Sequence, residues 1–330
     1  MGRLNIRLQK GQWLLLLFLL ILLLIAPFML SPFWLRIVTG LLMWVGLALS
    51  WNMIGGYMGY ISFGHGAFFG LGAYLTALLM GKLGFPFFLA MLAAGLLTYV
   101  FAWLVGYPTL RLSGTYFAIG TWCFAEMMRQ LVLVLDFTGG PEGLRVKPYL
   151  NETFFYFVML VLALVVAIFS HVTFDRSHYG LKVKAVREEE IAASTLGLNI
   201  VRIKTQVFAI SAFFPGLIGG AYAYWITYIH PDSVLGPLIS DQMVIMVLLG
   251  GISTLVGPII GAVILYVGNR ILWVFWGDSP AYLVILGVAI MLVILFLPQG
   301  LISLWRKRKK QAPGKPAANR FQNAAETKQT

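Results

Sequence analysis

Glu126 and Arg129 stand three residues apart inside an apolar run, residues 115–135. On a helix that spacing puts both on one face, where they can pair. Ions inside a membrane are costly and by default mark a functional site; the alternative is an ion pair that fixes helix packing. His65 is a second candidate. It has no Cys, Asp or Glu at ligand spacing, which argues against a metal site. That leaves a structural hydrogen bond at a helix break, or a substrate or proton role. Arg187-Glu188-Glu189-Glu190, followed by Ala192 and Ala193, is a third. This helix-favouring, charged segment serves either as a solvated connector or as a docking element. No Ser/His/Asp set, paired-carboxylate site, GxSxG elbow or GxxxxGK[ST] phosphate loop is visible. The sequence displays no catalytic residues and no P-loop of its own.

His65 belongs to the stretch Asn52–Tyr74, which has glycine at 55, 56, 59, 64, 66, 70 and 72. Glycine costs about 1 kcal/mol in a helix interior relative to Ala, so this stretch must gain something back. Small residues let helices approach closely, and a local break lets the chain line a cavity. Ser62, Gly66 and Gly70 fall four apart, with Tyr74 next on the same face. Ser253, Gly257 and Gly261 repeat the spacing, and Gly216 and Gly220 give a shorter instance. All three sets read as ridges for helix packing. Two turn-rich loops, Thr138–Leu144 and His230–Ser233, either meet an external partner or simply connect helices. Cys123, the single cysteine, excludes a disulfide framework and is expected to be a small buried hydrophobe.

The elements that position these residues are membrane helices. The chain has 330 residues, 60% hydrophobic and 11% charged, against about 25% charged in a soluble domain. A bilayer core of about 30 Å needs roughly 20 apolar residues per crossing. Ten runs qualify: 13–30, 35–54, 62–80, 85–106, 115–135, 153–172, 204–228, 238–254, 257–276 and 280–297. The first follows Arg3, Arg7 and Lys10 and is expected to be a retained helix rather than a signal peptide. Of the 24 Lys and Arg residues, residues 1–12 hold three, Arg111 is one, 173–204 hold six and the segment after Trp305 holds eight. That bias puts both termini in the cytoplasm. The net charge of +12 suits a membrane surface, not nucleic acid. The organisation is therefore a cytoplasmic N-terminus (1–12), a transmembrane domain (13–305) and a basic, disordered cytoplasmic tail (306–330). The loop 173–203 is expected to hold one or two short helices, with Gly197 at a left-handed C-terminal position and Asn199 capping the next helix.

Four groups of motifs resemble one family. They are Gly56-Tyr-x-Gly-x-x-Ser-x-Gly-His-x-x-Phe-Phe-Gly-x-Gly-Ala-Tyr74; Gly114–Ile119 running to Glu126 and then Thr138-Gly-Gly-Pro-x-Gly-Leu144; Ala185–Gly197; and Ser211–Gly219 followed by Leu249–Pro258. Spread in order over about residues 50–260, they resemble the LivM-type permease subunits of high-affinity branched-chain amino acid ABC importers. The resemblance implies an all-α polytopic membrane protein of about ten transmembrane helices in two related, inverted halves, located in the inner membrane amid lipid. It implies a pore shared with a second, LivH-type permease, driven by two ATPase subunits that bind ATP and Mg. This chain would bind no cofactor or metal itself. A periplasmic binding protein would deliver leucine, isoleucine or valine. Arg187, Glu188, Glu189, Glu190, Ala192, Ala193 and Gly197, within 176–203, then match the Glu-Ala-Ala…Gly coupling loop that docks on the ATPases, although the later Leu-Pro of that pattern is missing. Candidates for the translocation path are Asn52, Ser62, His65, Tyr74, Glu126 and Arg129, while Gly66, Gly70, Gly216, Gly220, Gly257 and Gly261 pack helices. Permeases for urea or short-chain amides share much of the pattern. An autonomous secondary transporter is the further alternative.

Overall fold

The computed structural model describes residues 21–112 and 114–276, together with 287, 288, 291 and 301. The tail, the residues before 21 and most of the run 280–297 lie outside that range. Residues 21–29 are helical. They are followed by α1 (Pro32–Asn52), α2 (His65–Leu83), α3 (Phe87–Thr109), α4 (Thr115–Val134), β1 (Leu144–Arg145), α5 (Glu152–Ser170), α6 (His178–Glu188), α7 (Glu190–Thr195), α8 (Ile200–Ile226), β2 (Tyr228–Ile229), α9 (Pro231–Leu235), α10 (Pro237–Gly250) and α11 (Val256–Trp276). A π-helical turn extends α1 to Met58, and another extends α5 to Arg176. Seven helical stretches among the described residues are long and apolar enough to cross a membrane, and Val256–Leu272 of α11 is apolar as well. The chain is thus a multi-pass, all-helical membrane protein.

Local sequence explains where the helices start and stop. Pro32 opens α1 at a position where its missing N–H costs nothing. Asn151 caps α5, and Asn199 caps α8 by accepting from Arg202 N at 3.0 Å. Gly197 lies at φ +80° just beyond α7, as the sequence predicts for a helix C-terminus.

α8 lies at the centre, packed along α2 and α3, while α1 pairs with α5 and α10 pairs with α11. Small residues set these approaches. Gly219 and Gly72 bring α8 against α2 so closely that an added Cβ would strike the Phe69 and Gly216 carbonyl oxygens respectively. A Cβ on Gly216 would stand 2.7 Å from Thr98 Oγ1 of α3. In lipid, with no hydrophobic drive between helices, such contacts supply van der Waals packing. Around them sits an apolar core that includes Phe68, Phe117, Phe124 and Phe208.

Two expectations change. Ser62 is not on the α2 ridge, because the helix begins only at His65; the residues before it form a non-helical link. Ser253 likewise precedes α11. Cys123 is exposed, not buried, because α4 turns that face, with Tyr116, Ile119 and Trp122, away from the rest of the chain. An apolar run alone does not say which face of a membrane helix meets its neighbours.

At one end of the bundle the loops Thr138–Leu144 and Tyr228–Ser233 join. β1 and β2 pair antiparallel, with Leu144 opposite Ile229, and the Tyr228 hydroxyl donates to the Glu142 carbonyl at 2.8 Å. α6 and α7 lie towards the other end.

Candidate functional site

Two breaks between successive helices, α1–α2 and α10–α11, lie near α6 and α7, and their polar groups are tied together. The first break follows the π-helical turn Met53–Met58. Gly59, at φ +85°, reverses the chain, which a residue with a Cβ resists. Residues 60–64 then lie outside any helix, where buried backbone groups are costly unless partnered. Their partners come from three helices, α1, α4 and α10. Trp51 Nε1 donates to Ser62 O at 2.7 Å. Phe63 N donates to Thr121 Oγ1 of α4 at 3.1 Å. Ser240 of α10 donates to Phe63 O at 2.6 Å and accepts from Gly66 N at 2.8 Å. His65 spans the interior, Nδ1 lying 3.1 Å from Ser62 Oγ and Nε2 3.0 Å from Ser211 Oγ of α8.

The second break lies between α10 and α11. Gly251 takes φ +128° and Ser253 φ +60°. Thr254 accepts from Gly257 N at 3.0 Å and so opens α11. Asn52, at the end of α1, joins the two breaks: its Nδ2 donates to Thr254 O at 3.0 Å, and its Oδ1 accepts from Ser253 N at 3.2 Å. Ser253 Oγ donates to Gly56 O at 2.6 Å.

Two residues of the 176–203 segment reach into this junction. Arg187, near the end of α6, donates to Gly56 O at 2.9 Å and to the Ser253 hydroxyl. Glu190, which opens α7, accepts from the Tyr60 hydroxyl at 2.5 Å and from Lys204 Nζ at 2.6 Å. Lys204 also donates to Tyr60 at 2.5 Å. The Lys204 side chain is only 5% exposed. Burial first, then the hydrogen bond and charge of Glu190, push the Tyr60 phenol up, so it stays protonated and donates. A nearby cluster holds the start of α6: Asp175 accepts from Tyr57 at 3.1 Å and faces Lys184 at 3.7 Å.

A second charged group lies towards the ribbon end of α4. Arg129 grips Glu126 with two bonds, at 2.6 and 3.0 Å, and reaches Asp232 of α9 at 2.6 Å. The pair foreseen from spacing is present, and Asp232 adds a tie between two helices.

Of the residues proposed from sequence, Asn52, Ser62 and His65 are wholly buried and Tyr74 nearly so. The first three are used up in the ties above. The Tyr74 hydroxyl has no partner among the described residues. Gly66 admits Ser240, Gly70 lies against Leu235, Gly220 against Thr76 and Gly261 against Met246, while Gly257 meets Gly251. Glu188, Glu189, Ala192 and Gly197 are exposed, and Ala193 is buried. Sequence reasoning missed Tyr60, Lys204, Ser240 and Asp232. Lys204 alone carried a signal, as a charge in the first turn of a membrane helix.

Residues 33–295 match the family described as the permease component of branched-chain amino acid transport systems. Curated relatives include the high-affinity branched-chain amino acid transport system permease protein LivM of Salmonella typhimurium, 31% identical over 87% of this chain and 74% of that protein. LivM of Escherichia coli matches to the same extent. The permease LivH of Salmonella typhimurium is 25% identical over 78% of this chain and 90% of its own length. No solved structure matches.

Proposed function

The chain belongs to the family of permease components of branched-chain amino acid transport systems, and on that premise we propose that it forms half of the membrane pore of an ATP-driven importer for leucine, isoleucine and valine. The other half is a LivH-type permease. Two ATPase subunits supply the energy and bind ATP and Mg, and a periplasmic binding protein delivers the substrate. In this reading the chain sits in the inner membrane with both termini cytoplasmic, and about ten helices form two inverted halves.

The observation that carries the reading is the link between α7 and the two breaks. α7 exposes Ile191 and, just beyond it, Leu196, at 74% and 78%, outside the seven membrane stretches. Large apolar groups that water covers on a charged segment mark a partner surface. From the same segment Arg187 and Glu190 hold both breaks. An ATPase that moves α7 would therefore pull on the breaks through two charged side chains, which is how hydrolysis would open and close a pore in a chain without a visible phosphate loop. Segment 176–203 is thus the coupling loop. Asn52, Ser62 and His65 would act by holding the breaks that move, and Tyr74, Glu126 and Arg129 remain the residues proposed to meet the path.

The test is reconstitution of this chain with its partner permease, ATPases and binding protein in liposomes. Leucine-loaded binding protein is expected to stimulate ATP hydrolysis and leucine uptake. Stimulation by urea- or amide-loaded binding protein alone would replace the substrate, and ion-driven flux with this chain alone would replace the mechanism.

A further inference from the structure

Asp241 lies one turn into α10, within a membrane-spanning stretch. It is partly buried, and no hydrogen bond or ion pair engages its carboxylate among the described residues. Its neighbour Ser240 is fixed to Phe63 and Gly66, and Phe63 is fixed to Thr121. The backbone at Asp241 is thus anchored where the first break meets α4. Asp241 lines a largely open, mainly apolar cavity of about 420 Å³ with Phe63, Thr115, Ala118, Ile119 and Trp122, a volume within the range of small-molecule sites, about 300–1,000 Å³. The cavity opens on the side of α4 that turns away from the rest of the chain, where Ile119 and Trp122 are half exposed.

A carboxylate facing acyl chains costs about 2.5–3.5 kcal/mol even on the mildest scale. The open side therefore faces water or a cationic group rather than lipid. No group of three His, Cys, Asp or Glu residues that could hold a metal ion occurs among the described residues, and Asp241 is the one charged residue in a lining that is otherwise apolar or aromatic apart from Thr115. That chemistry suits an alkylammonium. Asp241 would pair with the charge, the ring faces of Trp122 and Phe63 favour a cation, and Ile119 and Ala118 accept an aliphatic chain. A neutral amide or urea gains nothing from the charge.

We propose that the Asp241 cavity is a station on the translocation path that takes the α-ammonium of an apolar amino acid, with its side chain against Phe63, Ile119 and Trp122. This rests on the amino acid importer reading and adds a binding residue to it. The test uses the assembled transporter in liposomes, reading leucine imported per ATP hydrolysed. Asp241→Asn is expected to lower that ratio about tenfold, the weight of a charged hydrogen bond, while Asp241→Glu restores most of it. A ratio unchanged in Asp241→Asn overturns the site and leaves the importer standing. A wild-type complex that imports no leucine overturns both. Loss of the partner permease from purified Asp241→Asn complexes overturns the site in another way, assigning the carboxylate to a cation of that partner. A second measurement reads the cavity directly. In a Cys123→Ser background, Ala118→Cys is expected to react about tenfold faster with a cationic methanethiosulfonate than with an anionic one. Leucine should slow that reaction, and adding Asp241→Asn should erase the preference. Equal rates, or no reaction with either reagent, overturn the proposal.

Discussion

The two ends of α4 each meet a cluster of opposite charges with nearly the same bond lengths. At its start, where Phe117 packs 5.4 Å from the Tyr60 ring, stands Lys204–Glu190–Tyr60. Towards its other end stands Glu126–Arg129–Asp232. Their surroundings differ. Lys204 is 5% and Glu190 40% exposed, whereas Arg129 is 23%, Glu126 37% and Asp232 59% exposed. Breaking a buried pair leaves a charge without water or partner and costs about 3–5 kcal/mol. Exposed pairs contribute about 0.2–1 kcal/mol. Geometry alone would rank the clusters together, but burial separates them. The buried cation makes the joint at the start of α4 the costlier one to break, and the tie at the other end the cheaper one.

Removing the buried cation should do the most damage. Lys204→Met is expected to cost about 1.5–3 kcal/mol, less than the roughly 3–5 kcal/mol of a fully buried pair, because the Glu190 side chain it strands is 40% exposed and keeps Tyr60. The loss is read as thermal unfolding of the purified complex, and adding Glu190→Gln should recover part of it. A single-variant loss below about 1 kcal/mol would erase the contrast between the ends. Next comes His65→Ala, which removes two buried hydrogen bonds, leaving Ser62 with Gly64 N and Ser211 with Phe208 O, and should cost about 1–3 kcal/mol. His65→Gln should lose less. Gly197→Ala should cost about 1–2 kcal/mol from the left-handed backbone alone, because nothing stands within 4 Å of an added Cβ. A much larger loss would mean that the joint after α7 is packed against something. Arg129→Met is expected to be the mildest, about 0.2–1 kcal/mol, shrinking further at 1 M salt as screening removes the pair. A salt-insensitive loss above about 2 kcal/mol would make the two clusters equals.

Parts of this contrast are legible in the amino-acid sequence. The Glu126–Arg129 pair follows from a three-residue spacing, and the caps at Asn199 and Gly197 follow from residue type. His65 as a hydrogen-bonding residue at a break follows from its glycine surroundings. The ties of Asp232, 103 residues from Arg129, and of Tyr60, 144 residues from Lys204, are not legible there. Nor is the exposure of Cys123, or the burial that divides one cluster from the other. Asp241 escapes notice in the sequence because a lone charge near a helix start looks like an interfacial residue until a cavity is found beside it.

Hydropathy over twenty residues and the chemistry of single caps and turns act within a few residues, so the sequence by itself determined seven of the ten expected membrane spans, the helical loop 176–203 and the left-handed Gly197. The membership of the two charged clusters and the exposed face of α4 depend on which helices lie side by side. So do the ties of Asn52 and Arg187 between the breaks. Only the tertiary structure decided these, because in a lipid-like interior each polar group must find a partner wherever packing brings one, and that partner stands as many as 202 residues away.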